Sequence, residues 1–431
     1  MQTNFSLAQL TDPNIAEADK ILRNCVHCGF CTATCPTYLL RGDELDSPRG
    51  RIYLIKDMLE SNAPASETVT THVDRCLSCL SCMTTCPSGV HYMHLVDYAR
   101  QRIEETYQRP FMDRMLRKVL ATLLPHPSLF RTVLKLGQVA KAVGIGHFMR
   151  GRLKAMVDLI PSHLPPAAAT DRPGVFPAIG QKRGRVALLA GCAQQVLRPA
   201  INAATIRLLN RLGIEVVVAP EAGCCGSLTH HMGLEAPAHE AARGNIAAWH
   251  HEYSSHGLDA IIITASGCGT TVKDYGFMFR GDLVWRERAE LISSLACDIS
   301  QYLDKLQISA TPPQKLKVAY HAACSLQHGQ KLKDLPAKLL RQVGFEVVDI
   351  PEGHICCGSA GTYNMLQPEL SASLRDRKAA NIAKVAPQVV ASGNIGCLQQ
   401  LAPAIGVPIV HTVELLDWAL GGPVPGELTR H

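Results

Sequence analysis

No uninterrupted apolar run in this chain approaches the roughly 20 residues needed to cross a bilayer. The N-terminus, MQTNFSLAQLTDPN, lacks the basic start, the sustained apolar stretch and the cleavage site of a secretory leader. Together these absences lead to the expectation of a cytoplasmic protein, with any contact to the cytoplasmic face of the inner membrane peripheral. No G-x-G-x-x-G follows a strand pattern, and Gly144–Ile145–Gly146 lacks both a third glycine and a preceding strand, so no Rossmann-type dinucleotide or flavin site is expected. Neither a Ser/His/Asp set nor paired carboxylates can be recognised, so no catalytic residue is assigned. A formal charge of +6 over 431 residues is too mild for the dense basic face that binds nucleic acid; it fits an acidic partner or a membrane surface better.

Cysteine, by contrast, is abundant. Seventeen in a reducing compartment point to metal rather than disulfides, and an odd total argues against a closed disulfide framework. Sixteen of them fall into two internal repeats. CVHCGFCTATCP at 25–36 returns as CLSCLSCMTTCP at 76–87, each cysteine recurring 51 residues on. Cys192, Cys224 and Cys225 recur 132 residues on as Cys324, Cys356 and Cys357, and Cys268 recurs 129 residues on as Cys397. Only Cys297 is left over; it lies in the apolar, helix-like stretch AELISSLACDISQYL and is read as core.

The spacing C-x2-C-x2-C-x3-C-P is that of ferredoxins. Cysteines three apart on a tight loop let three thiolates converge on one cubane, while the fourth projects to the other cluster in two-cluster proteins. The first [4Fe–4S] cluster is therefore expected on Cys25, Cys28, Cys31 and Cys86, the second on Cys76, Cys79, Cys82 and Cys35. Pro36 and Pro87 redirect the chain after each crossing cysteine. Paired zinc knuckles would leave the third cysteine of each run and the Cys-Pro steps unexplained. Ser47–Pro48 reads as a helix start, followed by the apolar stripe Ile52, Ile55 and Leu59, which makes this a helical ferredoxin module. Arg49 and Arg51 either bring positive charge to a cluster or are ordinary solvated arginines, and His27, inside the first loop, can tune a cluster by hydrogen bonding.

Residues 111–157 look helical, broken at Pro125 and Pro127. Between Asp113 and Asp158 there is no acidic residue, while Arg114, Arg117, Lys118, Arg131, Lys135, Lys141, Arg150, Arg152 and Lys154 lie in that span. Met115, Val119, Leu123 and Leu129, Val133, Leu136 recur at helical spacing. This is either a surface helix pair covering the protein's own core or, across 114–154, a docking face for a membrane or partner. Residues 161–184, rich in Pro, Ala and Gly, read as a linker. Beyond it β-branched runs alternate with helices: strands at Val186–Leu189, Ile214–Val218, Ala260–Thr264, Val318–His321, Glu346–Ile350 and Val389–Ala391, helices at about 199–212, 234–254, 336–342 and 368–384. That alternation implies buried, largely parallel sheets with the cysteines at strand ends, where ligands gather in such folds.

EAGCCGS, TASGCG, HICCGSAGTY and the terminal HTVELL resemble two copies of the cysteine-rich CCG domain of heterodisulfide reductase-type proteins. Together with CVHCGFCTATCPTY and GDELDSPRGRIYLIK, the whole chain resembles the family of glycolate oxidase iron–sulfur subunits, with lactate-utilisation and anaerobic glycerol-3-phosphate dehydrogenase subunits as relatives. The resemblance implies an α+β multidomain chain. Its parts would be a helical ferredoxin-type module at 1–108, a basic helical segment at 109–160, a linker at 161–184, and α/β CCG domains at 185–310 and 311–431. It also implies an electron-transfer subunit that receives electrons from a flavin-containing subunit oxidising glycolate and passes them towards a quinone; the alternatives are the lactate or glycerol-3-phosphate systems, or a heterodisulfide reductase-type catalytic subunit. In the heterodisulfide reductase pattern each CCG domain closes with C-x2-C, whereas here each closes on a single cysteine, Cys268 or Cys397. Cys192, Cys224, Cys225 and Cys268, and Cys324, Cys356, Cys357 and Cys397, are accordingly open to three readings: a further Fe–S cluster, another metal, or buried thiols. Both binding readings need Gly226 to turn the chain after the adjacent pair Cys224–Cys225. His321, His354 and His411 stand near these cysteines, as metal or sulfur partners or as satisfied structural histidines.

Overall fold

The computed structural model describes residues 1–144, 148–310 and 312–429; Ile145 and Gly146 of the weak glycine motif lie outside them. Asp12, Ser47 and Ser66 each accept a hydrogen bond from a backbone N–H in the first turn of the helix they precede, and so start Pro13–Asn24, Pro48–Ser61 and Glu67–Asp74. These three helices and Tyr92–Thr106 pack their apolar stripes together, burying Leu22, Ile55, Val73, Leu95, Val96 and Ile103. The expected stripe of Ile52, Ile55 and Leu59 is all within this core. The two cysteine loops hang from the ends of these helices.

The C-terminal part holds two sheets. In chain order the strands are β1 (Gly174–Phe176), β2 (Gly184–Leu188), β3 (Ile214–Val218), β4 (Ala260–Ile263), β5 (Ala296–Asp298), β6 (Lys317–His321), β7 (Glu346–Asp349), β8 (Val389–Ser392) and β9 (Ile409–His411). The first sheet runs β1-β3-β2-β4-β5 and the second β7-β6-β8-β9. Apart from antiparallel β1, all pairs are parallel, so the two sheets repeat one strand order. Helices cover both faces, which is why IEVVV, AIII and VVAS read as continuous apolar runs. One hydrophobic core spans both sheets. Across it the helices Ala200–Arg211 and Thr412–Ala419 meet, with Arg207 and Arg211 donating to the buried Asp417 carboxylate at 2.6 and 2.7 Å.

Several expectations need correction. The helix-like stretch around Cys297 is a helix (Arg286–Leu295), then β5, then a helix (Ile299–Lys305); Cys297 is indeed core, but on a strand. The stretch read as linker carries β1, which pairs with β3 through Gly174 opposite Val218. The strand at Val389 runs one residue further, to Ser392.

The basic segment forms the helices Phe111–Leu123, Pro127–Ala142 and Gly151–Asp158. Arg117 and Leu120 are buried on the first and Leu134 on the second. Met115, Val119, Leu129, Val133 and Leu136 are exposed, as are Val139, Val143 and Leu153. Most of this apolar stripe therefore covers no core of its own.

Candidate iron–sulfur and thiol sites

The two ferredoxin loops share a backbone as well as a spacing. His27 and Gly29 in the first loop have φ of 58° and 84°; Ser78 and Leu80, 51 residues on, have 50° and 61°. Left-handed residues at matched positions curl each loop so that its first three cysteines converge. One cavity is lined by Cys25, Cys28, Cys31 and Cys86, a second by Cys35, Cys76 and Cys79, and Cys82 borders both. The fourth cysteine of each run thus lies beside the other run's cavity. All seventeen cysteines are free thiols, as metal ligation requires.

The two cavities differ in their surroundings. Cys28 is exposed, with Val26 and Phe30 exposed on either side of it. His27 is exposed too, and Arg49, against Gly29, is paired with Glu44. The second cavity is lined mostly by buried residues. Arg51, 1% exposed, points Nη1 at Cys35 Sγ (3.8 Å), donates Nη2 to Thr37 Oγ1 (2.9 Å) and Nε to His72 O (2.7 Å). Behind it the buried Asp46 carboxylate takes Arg41, Arg75 and His72 at 2.8, 3.1 and 2.9 Å. Tyr92 Oη and Ser78 N–H point at Cys76 Sγ at 3.8 and 3.5 Å. Of the two arginines the sequence singled out, Arg51 is the one buried at a cluster loop; Arg41, Asp46, Arg75 and Tyr92 carried no recognisable signal. Burial pushes the Cys79 and Cys82 thiols well above their ordinary range, so these are not free nucleophiles. A metal displaces such protons on binding.

In each CCG copy the glycine after the cysteine pair is left-handed, Gly226 at φ 79° and Gly358 at 88°. A side chain there would also strike a longer helix further on, its Cβ 2.8 Å from Ala238 O or 2.5 Å from Ser371 O. The turn brings adjacent cysteines to one place, as the sequence requires. In the first copy Cys192, Cys224, Cys225 and Cys268 gather at one place, Cys224 acting on both Cys192 and Cys225, and Cys225 on Cys268. The neighbouring Cys192 and Cys225 thiols hold Cys224 below the ordinary thiol range. In the second copy two thiol pairs are in contact, Cys324–Cys356 at 3.8 Å and Cys357–Cys397 at 3.5 Å. Thiolates on one metal ion, at metal–sulfur distances near 2.3 Å, would stand about 3.8 Å apart, and the two thiol pairs of the second copy have that spacing. The last cysteine of each copy sits near the start of a short helix, Ser266–Lys273 or Ile395–Leu401, that was not anticipated.

The sites are not isolated. Cys79 shares an apolar cluster with Ile355, Cys356 and Tyr363, with Cys324 packed against it. Thr84 is hydrogen-bonded to His328 Nδ1 at 2.7 Å, and Tyr363 Oη donates to Arg75 O at 3.0 Å. The second ferredoxin loop is thereby seated on the second CCG site. The two CCG copies meet through their own cysteine loops, Ser266 Oγ to Ser325 Oγ at 2.7 Å and Gln330 Nε2 to Ser266 O at 2.9 Å. Between the helical module and the first copy, Asp97 takes His231 at 3.1 Å and His230 at 3.5 Å.

The three histidines separate. His411 is structural: Nε2 donates to Thr264 O (2.8 Å) and Nδ1 accepts from Val413 N–H (3.1 Å), starting the last helix. His354 is exposed. His321 is 2% exposed, and neither ring nitrogen has a hydrogen-bond partner among the described residues.

The chain is similar to known proteins over most of its length. The family model for a 4Fe-4S dicluster domain matches residues 21–90, and that for a cysteine-rich domain matches residues 186–273 and 318–402. Over 422 residues the chain is 43% identical to a glycolate oxidase iron-sulfur subunit of Escherichia coli (strain K12), covering 97% of this chain and 99% of that one. It is 32% identical to a probable glycolate oxidase iron-sulfur subunit of Bacillus subtilis (strain 168), covering 93% and 94%. Lactate utilization protein A of Anoxybacillus flavithermus is 31% identical over 242 residues, 54% of this chain and 98% of its own.

Proposed function

The chain belongs to the family of glycolate oxidase iron–sulfur subunits, and on that premise we propose that it carries electrons from a flavoprotein subunit oxidising glycolate to glyoxylate towards a quinone. The observation that carries this reading is the run of adjacent cysteine sites, from the exposed first loop through the buried second loop to Cys79 against Cys324 and Cys356. Cubanes on the two ferredoxin sets would exchange single electrons, with potentials set by nearby charge and hydrogen bonds. Cys25, Cys28, Cys31 and Cys86 would hold the first, and Cys76, Cys79, Cys82 and Cys35 the second. Val26 and Phe30 offer an apolar landing surface beside the first loop, where the flavoprotein docks. Arg51, Tyr92 and Ser78 N–H favour the electron at the second loop, which supports inward flow.

Hydride chemistry belongs to the partner, because single-electron sites alone cannot accept a hydride. A disulfide-reductase role is disfavoured by Ala265 and Asn394, which stand where a C-x2-C pair would place its first cysteine. Among the described residues no helix is long and apolar enough to cross a membrane. The exposed apolar and basic face of 111–154 is the part that suits a peripheral seat on an anionic membrane.

The test is activity by subunit. The purified chain alone should leave an acceptor dye unreduced with glycolate, lactate or glycerol 3-phosphate, and dye reduction with glycolate should appear when the flavoprotein subunit is co-expressed. Glycolate oxidation by the isolated chain would overturn the carrier role.

A further inference from the structure

The two CCG copies repeat each other in strand order and in the placing of their cysteines, but not in every residue around them. The offset of 132 that relates Cys192 to Cys324 places Leu189 opposite His321, three residues before the first cysteine in each copy. Leu189 is an ordinary core residue, 3% exposed and in one apolar cluster with Cys225 and Ala242. His321 occupies the corresponding place at the end of β6, with a ring nitrogen and the thiols of Cys357 and Cys397 all within 4.8 Å of one another.

A buried imidazole normally finds partners for its nitrogens. The other buried histidines here do: His72 pairs with Asp46, His328 with Thr84 and the His354 carbonyl, and His411 with Val413 and Thr264. His321 alone among them has neither nitrogen satisfied, and it stands beside two thiols.

A second difference points the same way. Lys378, 1% exposed, donates to Glu352 O at 2.7 Å, and its charge is near enough to act on Cys357, Cys356 and Cys397. By the shared Asn-Ile-Ala steps at 245–247 and 381–383, its counterpart in the first copy is Ala242. An ammonium that deep calls for negative charge nearby, which thiolates bound to metal supply.

We infer that His321 is a nitrogen ligand of the metal group in the second CCG site, giving that site four cysteines and a histidine where the first has cysteines alone. Five candidate donors exceed the four of a closed structural zinc site, which favours a polynuclear group of the iron–sulfur class. Replacing sulfur by imidazole ligation raises the potential of iron–sulfur centres. The second site, against Cys79, is then the deeper electron acceptor of the two.

This inference rests on the second CCG site holding metal, and the experiment separates the two claims. Protein co-expressed with its flavoprotein partner is purified anaerobically, once with natural histidine and once with 15N-histidine. Iron is measured in wild type, Cys357→Ser, His321→Leu and His321→Cys, and nitrogen hyperfine coupling is recorded in the dithionite-reduced state. Iron above the eight of the ferredoxin sites, lost in Cys357→Ser and in His321→Leu but kept in His321→Cys, is expected. So is a nitrogen coupling that changes on 15N-histidine labelling and vanishes in His321→Cys. Full iron in His321→Leu overturns the ligand role while leaving the metal site standing. Iron of eight in wild type overturns both.

Discussion

Arg51 makes the sharpest quantitative case for two unequal ferredoxin sites. Its guanidinium is sealed from water, with Nη1 3.8 Å from Cys35 Sγ, while no comparable buried cation borders the first loop among the described residues. At an effective dielectric near 20, a unit charge at that separation interacts with an added electron by about 4 kcal/mol. Spreading the electron over a whole cubane reduces this to about 2 kcal/mol, equivalent to about 80 mV for a one-electron couple. Arg51→Gln removes the cation, keeps a donor within the pocket, and leaves Asp46 paired with Arg41 and Arg75. The midpoint potential of the second cluster should then fall by about 80 mV, because a positive neighbour favours the reduced state. The first cluster should not move. The assay is an anaerobic redox titration followed by EPR, on variant protein that retains its full iron. A shift below about 20 mV, or a shift of the first cluster instead, would refute the reasoning.

The proposed crossed ligation would make neighbours in sequence behave differently: Cys31→Ser should lose the first cluster's EPR signal alone and Cys35→Ser the second's alone, and loss of the same signal in both would sink it. Reversing Lys135, Lys141 and Arg150 to Glu should cost about 1 kcal/mol of membrane attraction per lost charge and a similar amount in new repulsion. Co-sedimentation with anionic vesicles at low salt should fall by two orders of magnitude or more with iron unchanged; unaltered binding would return 111–154 to an ordinary surface role. Burial pushes the Glu414 carboxyl up to about 7 although the His411 N–H donates to it. Its folded form therefore holds a proton that the unfolded chain gives up near pH 4.5, so stability should decline between about pH 4.5 and 7 and level off above, by about 3 kcal/mol. Thermal melts across that range should show the decline in wild type and a flatter profile in Glu414→Gln; identical profiles would remove the assignment.

The curl of the two cysteine loops was legible in their spacing. Cysteines three apart on a loop can converge only if the loop curls, and the matched left-handed residues at His27 and Ser78, Gly29 and Leu80 are that curl. Long β-branched runs between helices likewise announced β2, β3, β4, β6 and β8. β5 was hidden because three residues buried on both faces, Ala296–Asp298, look like part of any apolar helix. β1 was hidden because its backbone pairing with β3, not its composition, makes Gly174–Phe176 a strand. The buried network of Asp46, Arg41, Arg51 and Arg75 depends on packing across 35 residues of chain that no local pattern encodes. His321 is an intermediate case. Its isolation from hydrogen-bond partners is a fact of the fold, yet the repeat that aligns it with Leu189 was present in the sequence.

The claim that this chain carries electrons out of a flavoprotein is tested most directly by adding glycolate, without dithionite, to the anaerobic complex of the chain with its flavoprotein subunit. Freeze-quenched samples should develop the EPR signals of reduced clusters held by the 25–35 and 76–86 cysteines, and in Cys31→Ser, which lacks the first cluster, the second should be reduced far more slowly. Rapid flavin reduction by glycolate with both clusters left oxidised would contradict it.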